Sequence, residues 1–180
     1  MRPSRRTAFA RMKPVLIAMC AALSLAACGS SGFQPLYGAS GSGAPVPERL
    51  AEVDIATIPS RVGQRIRNEL IFQNNGTHSE RSANPRERLE VVIKESVTSA
   101  LVRSDGTSFS QVYQLEATFR LLDIEQKRVV LEGRSFGRAA FERVQSTYAN
   151  VRAREDAENR AARTIADDLK LRLAAHFSRS

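Results

Sequence analysis

Cysteine and histidine are scarce in this 180-residue sequence, which contains two of each. Cys20 lies in an apolar N-terminal run that we expect to be removed, so the processed chain keeps Cys28 alone. One cysteine excludes an intrachain disulfide framework and argues against a cysteine-ligated metal site. His78 falls in a polar loop, and His176 falls in the last turn of a predicted helix. With so few ligand and nucleophile–base combinations, the sequence predicts no catalytic residues and no metal site.

Acidic residues are absent from residues 1–27, whose only charged residues are basic: Arg2, Arg5, Arg6, Arg11 and Lys13. The formal net charge of the whole chain is +8. Without this segment, 22 basic and 19 acidic residues remain, a net charge of +3. Nucleic-acid-binding domains have a stronger basic excess and a recognisable motif, so we expect no nucleic-acid partner.

The N-terminal segment has the three parts of a secretory signal peptide. A basic stretch precedes an uncharged apolar run, residues 14–27, which ends in small residues. That run is shorter than the roughly 20 residues a membrane-spanning helix needs. We therefore predict that residues 1–27 are a signal peptide that is removed. Translation could start at Met1 or at Met12, because the segment from Met12 is itself a complete leader.

The end of this segment, Leu25-Ala26-Ala27-Cys28, resembles the lipobox of bacterial lipoproteins. In those proteins the cysteine sulfur receives diacylglycerol, the leader is removed and the new amino terminus is acylated. The resemblance implies lipidation at Cys28. An aspartate after the cysteine is the usual signal for retention in the inner membrane, and Gly29 stands there instead. The resemblance therefore implies a lipid-anchored protein of the outer membrane that faces the periplasm.

A second resemblance lies a few residues beyond Cys28. The heptapeptide Gly32-Phe33-Gln34-Pro35-Leu36-Tyr37-Gly38 is similar to the segment that opens the mature proteins of the LPS-assembly lipoprotein LptE family. The resemblance implies a non-enzymatic partner of the LptD β-barrel that carries no cofactor. Such a partner sits partly inside the barrel, supports its assembly and assists delivery of lipopolysaccharide to the outer leaflet. The apolar residues of the heptapeptide could also simply pack the N-terminal segment onto the domain.

Residues 28–47 are expected to be the lipid anchor and a spacer, which is rich in Gly, Ser and Pro over residues 39–47. Residues 48–180 should form the folded domain. Alternation over Glu48–Ile58 predicts a first strand, which Pro59 ends. Ser60 can cap a helix to about Asn74, whose apolar stripe is Val62, Ile66 and Leu70.

Three long strands are predicted next, because apolar and polar residues alternate along each segment. They cover about Leu89 to Arg103, a segment around Tyr113–Leu121, and about Val129 to Arg143. Turn residues separate them near Asp105-Gly106 and near Glu125–Lys127. The outward-facing residues are polar, which by default indicates a solvated sheet face, although the lumen of a large barrel is polar too.

A long C-terminal helix is predicted over about Thr147–Phe177. Its apolar residues are four apart, at Ala157, Ala161, Ile165, Leu169, Leu173 and Phe177. The predicted element order is thus β-α-β-β-β-α. It indicates an α+β two-layer sandwich, in which two helices pack on one face of a four-stranded mixed sheet. The first two strands should be parallel, and the remaining strands should form an antiparallel meander.

Four arginines could bind the phosphates of lipopolysaccharide, because the predicted topology places them at one end of the domain: Arg61, Arg103, Arg138 and Arg143. Arginine suits forked contacts to phosphate, and helix N-termini attract anions. Scattered surface arginines are the simpler interpretation.

Two other classes of protein stay open besides a partner of the barrel. One is an unrelated outer-membrane lipoprotein with a structural or peptidoglycan-binding role, which co-purification with a β-barrel would distinguish. The other is an anchored periplasmic hydrolase, but the sequence has neither a nucleophile elbow nor a paired-acid motif.

Overall fold

A computed structural model describes residues 45–75, 84–102 and 108–179. Within them the elements follow the order α1, β1, α2, β2, β3, β4 and α3. The three helices are α1 (Val46–Ala51), α2 (Arg61–Asn75) and α3 (Thr147–Phe177). The four strands are β1 (Asp54–Ile55), β2 (Glu87–Val102), β3 (Ser108–Asp123) and β4 (Arg128–Glu142).

The strands form one mixed sheet in the order β1-β2-β3-β4. The short strand β1 is parallel to β2, and β2, β3 and β4 are antiparallel to one another, as predicted. Alternation along β3 decides which face is buried. Tyr113, Leu115, Ala117, Phe119 and Leu121 are all buried, whereas the residues between them are at least partly exposed. A strand sends successive side chains to opposite faces, so β3 orients its neighbours as well.

Helix α2 begins where the sequence predicts. Ser60 has a φ of 78°, and its Oγ accepts a hydrogen bond from the backbone N–H of Gly63 at 3.2 Å. This bond satisfies one of the N–H groups that every helix leaves free at its start. The predicted stripe of Val62, Ile66 and Leu70 is buried in the same core as the inner side of the sheet.

Helix α3 matches its predicted bounds, and the hydroxyl of Ser146 caps its first turn. All six apolar residues of its four-residue repeat are buried. Each step of four residues turns about 40° around an ideal helix, so the buried stripe winds around α3. Ala161 accordingly faces β4, whereas Phe177, four turns later, lies under Arg49 of α1. The stripe changes partners along the helix, as its spacing predicts.

Helix α3 lies unusually close to β4 at Gly137. A Cβ atom placed on Gly137 would be 2.5 Å from the carbonyl oxygen of Ala161. Only glycine therefore fits at this position, and small residues occupy the helix above it. The close approach fixes where α3 crosses the strand.

The first predicted strand is wrong over most of its length. Residues 46–51 form α1, and only Asp54 and Ile55 pair with β2. Val46 and Leu50 are buried and stand four apart, a helical spacing that the alternation of Ala51, Val53 and Ile55 obscures. Helix α1 also begins inside the segment assigned to the spacer. The fold class is nevertheless confirmed, with α1 as a third, short helix.

Replacing Gly137 by alanine should lower the free energy of unfolding by about 1–3 kcal/mol, because the backbone of α3 must move away from the new methyl group. Urea denaturation of the purified domain measures this. Glu132→Ala, an exposed change on the same strand, should stay within about 0.5 kcal/mol of wild type. A Gly137→Ala protein as stable as wild type would contradict the close approach.

Candidate functional site

The sheet has one face that none of the described elements covers. We call it the open face and define it by the outward-pointing side chains of the three long strands. They are Arg88, Glu90, Val92, Lys94, Ser96 and Thr98 of β2; Val112, Gln114, Glu116, Thr118, Arg120 and Leu122 of β3; and Glu132, Arg134, Phe136, Arg138 and Ala140 of β4. Most of these side chains are polar or charged, as the sequence predicts. The open face is the candidate functional surface.

Polar contacts order part of the open face. Arg134 Nη1 lies 3.5 Å from Glu116 Oε1 on the neighbouring strand. Gln114 Nε2 donates a hydrogen bond to Thr98 Oγ1 at 3.0 Å. Exposed pairs of this kind contribute little stability, typically below about 1 kcal/mol. The open face is thus a polar surface on which some charges are paired across neighbouring strands.

A polar cluster lies on the opposite, inner side of the sheet, at the start of α2. Tyr113 donates its hydroxyl proton to Glu95 Oε2 at 2.8 Å, and Ser60 donates to the other oxygen of Glu95 at 3.3 Å. On α3, the largely buried carboxylate of Glu158 accepts hydrogen bonds from Arg61 and from Arg154. These bonds connect β2, β3 and both long helices.

Electrostatics in this cluster favour the neutral phenol of Tyr113. Burial raises the pKa of Tyr113 most, and the hydrogen bond to Glu95 and the negative charges of Glu95 and Glu158 raise it further. Arg154 acts in the opposite direction but more weakly. The cluster is a structural junction, because its groups satisfy one another.

Sequence reasoning did not find this cluster, although a signal was present. Glu95 interrupts the inward-facing series Leu89, Val91, Ile93 and Val97 with a charge. Glu95 itself is exposed, but the buried phenol of Tyr113 needs a hydrogen-bond partner, and Glu95 supplies one.

A second polar region is a cleft of about 560 Å³ near the start of β2, lined by Arg49, Asn84, Pro85, Arg86, Glu87, Asp123, Ile124 and Glu125. Burial raises the pKa of Glu87, and Arg49, whose Nη2 is 3.6 Å away, opposes this shift. Arg49 also donates a hydrogen bond to the backbone carbonyl of Phe177 at 3.3 Å and stacks over its ring. With two arginines and three carboxylates, the cleft has no strong preference for one sign of charge. Its contacts attach α1 to the end of α3.

Of the four predicted arginines, the structure describes Arg61, Arg138 and Arg143, and it does not place these three together. Arg61 pairs with Glu158 on the inner side of the sheet. Arg138 lies on the open face opposite Gln114, and Arg143 follows β4 five residues later, about 16 Å farther along. Arg103 lies outside the described residues. The geometry differs from the prediction because β1 has only two residues, so α2 begins partway along the sheet instead of at its end.

Cys28 and the heptapeptide 32–38 also lie outside the described residues, so lipidation and the motif stay predictions. Binding of lipopolysaccharide by Arg61, Arg103, Arg138 and Arg143 is likewise a prediction. Within the described ranges no group of three or more His, Cys, Asp or Glu residues could hold a metal ion. No helix in those ranges is both long and apolar enough to cross a bilayer.

The fold is similar to solved structures of lipoproteins. A protein from Caulobacter crescentus CB15, described as a lipoprotein, matches with a TM-score of 0.58 and 23% identity over 73% of this chain and 94% of that one. Lipoprotein B from Nitrosomonas europaea matches with a TM-score of 0.53 and 12% identity, over 70% of this chain and 83% of that one. Rare lipoprotein B from Shewanella oneidensis matches with a TM-score of 0.52 and 10% identity, over 68% of this chain and 93% of that one.

At these identities the likenesses show a shared fold. Comparisons with protein-family models and with curated proteins give no match.

Replacing Tyr113 by phenylalanine should remove the hydrogen bond to Glu95 and cost about 1 kcal/mol at neutral pH. The pKa of Tyr113 is raised in the folded state. Its contribution to the free energy of unfolding is therefore complete below pH 10.0, the ordinary pKa of tyrosine, and is lost as the pH rises further. The wild type should therefore lose stability more steeply above pH 10 than Tyr113→Phe does. Denaturation at a series of pH values measures the two slopes.

Tyr148→Phe is the matched control, because the Tyr148 side chain is 75% exposed on α3. It should give the wild-type slope. Equal slopes for wild type and Tyr113→Phe would contradict the buried hydrogen bond.

Proposed function

We propose that this chain is an outer-membrane lipoprotein, anchored through acyl chains on Cys28, that forms a complex with an LptD-like β-barrel. In this role it supports assembly of the barrel and helps deliver lipopolysaccharide to the outer leaflet. It acts by binding, without catalysis and without a cofactor. The observation that carries the proposal is a sheet with one face buried under helices and the other polar and uncovered.

The open face suits the interior of a barrel for a physical reason. Large outer-membrane barrels have polar interiors, so a domain inserted there must present polar groups or leave buried charges without partners. Strands of 15 and 16 residues extend about 50 Å, which makes the open face long as well as polar. An apolar outer face would instead favour a second protein layer or aggregation.

The sequence motifs support the same role. The lipobox at Cys28 supplies an anchor, and the heptapeptide Gly32–Gly38 resembles the LptE family. The fold shared with rare lipoprotein B of Shewanella oneidensis supports a lipoprotein of this architecture. Each buried methylene contributes about 0.8 kcal/mol, so several acyl chains give effectively permanent attachment. A permanent anchor keeps the domain beside a barrel in the same membrane.

Replacing Cys28 by alanine should abolish acylation and release the protein from the membrane fraction, because no other residue can receive the diacylglycerol. Mass spectrometry of the native protein and fractionation of cells measure both effects. Cys20→Ala is the matched control, since Cys20 should leave with the signal peptide. It should leave acylation unchanged.

The complex itself is tested by purifying the full, acylated chain from its own outer membrane in mild detergent. A large β-barrel should co-purify, and depletion of the chain should lower surface lipopolysaccharide. An unacylated Cys28, or an acylated chain with no barrel, would refute the proposed function.

A further inference from the structure

Charges on the open face are balanced nearly everywhere. Arg134 pairs with Glu116, and Arg88, at the beginning of β2, pairs with Asp54 at 3.7 Å. Arg120 stands directly opposite Glu90 on one neighbouring strand and Glu132 on the other. Opposite charges in such cross-strand positions attract one another. A solvated sheet face shows this pattern by default.

The exception surrounds Phe136. Its side chain is 57% exposed, and among sheet residues with described side chains no other aromatic is exposed. Lys94 lies in the same row of the sheet, across Glu116, and Arg138 is two residues farther along β4. A shallow depression of about 170 Å³ is lined by all three of these residues together with Ser96, Gln114, Leu115, Glu116 and Gly137. Glu116, the carboxylate nearest to Lys94 in the register, is already paired with Arg134.

Within the described residues, the sheet cannot turn the Phe136 ring into the core. Strand alternation commits its two neighbours, Ser135 and Gly137, to the inner side, where both are buried. A one-residue slip of β4 would turn Phe136 inward, but every side chain of β4 would then change faces. It would also move Gly137 away from the position where α3 closely approaches the strand. The exposed ring is therefore a fixed feature of the fold.

We propose that Lys94, Phe136 and Arg138 form the centre of a docking surface for an acidic protein surface. The Phe136 ring enters a recess in the partner, and the two cations pair with carboxylates at its rim. Interface hot spots are enriched in aromatic residues and arginine near the centre of the contact. The depression is midway along the open face, and a net positive charge beside an aromatic ring favours an acidic partner. The inference rests on the proposed function for the identity of that partner, the β-barrel.

Reversing both charges, Lys94→Glu with Arg138→Glu, should lower the amount of barrel that co-purifies with the acylated full chain by about tenfold or more. Arg163→Glu with Arg179→Glu is the matched control, because it makes the same change in net charge at exposed residues outside the open face. The control should retain the barrel at the wild-type level. Thermal unfolding should show that both double variants are folded.

A second pair of variants tests the ring. Phe136→Ser should lower co-purification of the barrel, whereas Phe72→Ser should not, although the Phe72 side chain on α2 is 65% exposed. Removing either ring changes little in the isolated domain, since both are on the surface. A loss confined to Phe136→Ser therefore reports on docking.

The possible outcomes separate the two proposals. If the barrel co-purifies equally with wild type and all four variants, the docking surface is refuted and the proposed function stands. If the control variants lose the barrel as completely as the others, the assignment to this face is also refuted. If wild type itself retains no barrel, the proposed function fails, and this inference fails with it.

Discussion

The contact between α3 and β4 is the constraint on which the rest of the structure depends. At Gly137 the backbone of the helix reaches the strand, and a single methyl group would not fit. This fixes which residues of β4 point inward, and through the antiparallel register it fixes the faces of β3 and β2. Because the inner face is defined there, the composition of the open face follows from the same contact.

The two ends of the helix layer are held differently. At one end the polar cluster around Glu95 and Glu158 joins the start of α2 to α3 and the sheet. At the other end Arg49 lies against Phe177 and beside Glu87, so α1 closes the core. Apolar packing is non-directional, so away from the Gly137 contact it sets the positions of the helix ends only loosely. Hydrogen bonds with charged partners give each end a fixed position.

The sequence predicts most of this fold where one period dominates. The alternation of β3 and the four-residue spacing of α3 each have one interpretation, and both predictions are confirmed. Residues 46–55 contain two periods, because Val46 and Leu50 are spaced for a helix while Val53 and Ile55 are spaced for a strand. Because of that local error, the sequence prediction placed the start of α2 at the end of the sheet, with Arg61 close to Arg143.

The candidate surface was less accessible to sequence reasoning than the fold. Outward-facing residues are assigned by periodicity, but which charges remain unbalanced depends on the cross-strand register, which periodicity alone does not give. In the register observed, Glu116 has two cations within reach and pairs with Arg134, so Lys94 is left beside Phe136 and Arg138. Water alone would solvate either cation well. Solvation does not explain the large ring beside them, because the exposed ring lowers solubility and the two like charges repel. These charges are about 12 Å apart, two strands across and two residues along the sheet. An acidic partner removes both costs at once, since it covers the ring and neutralises the charges.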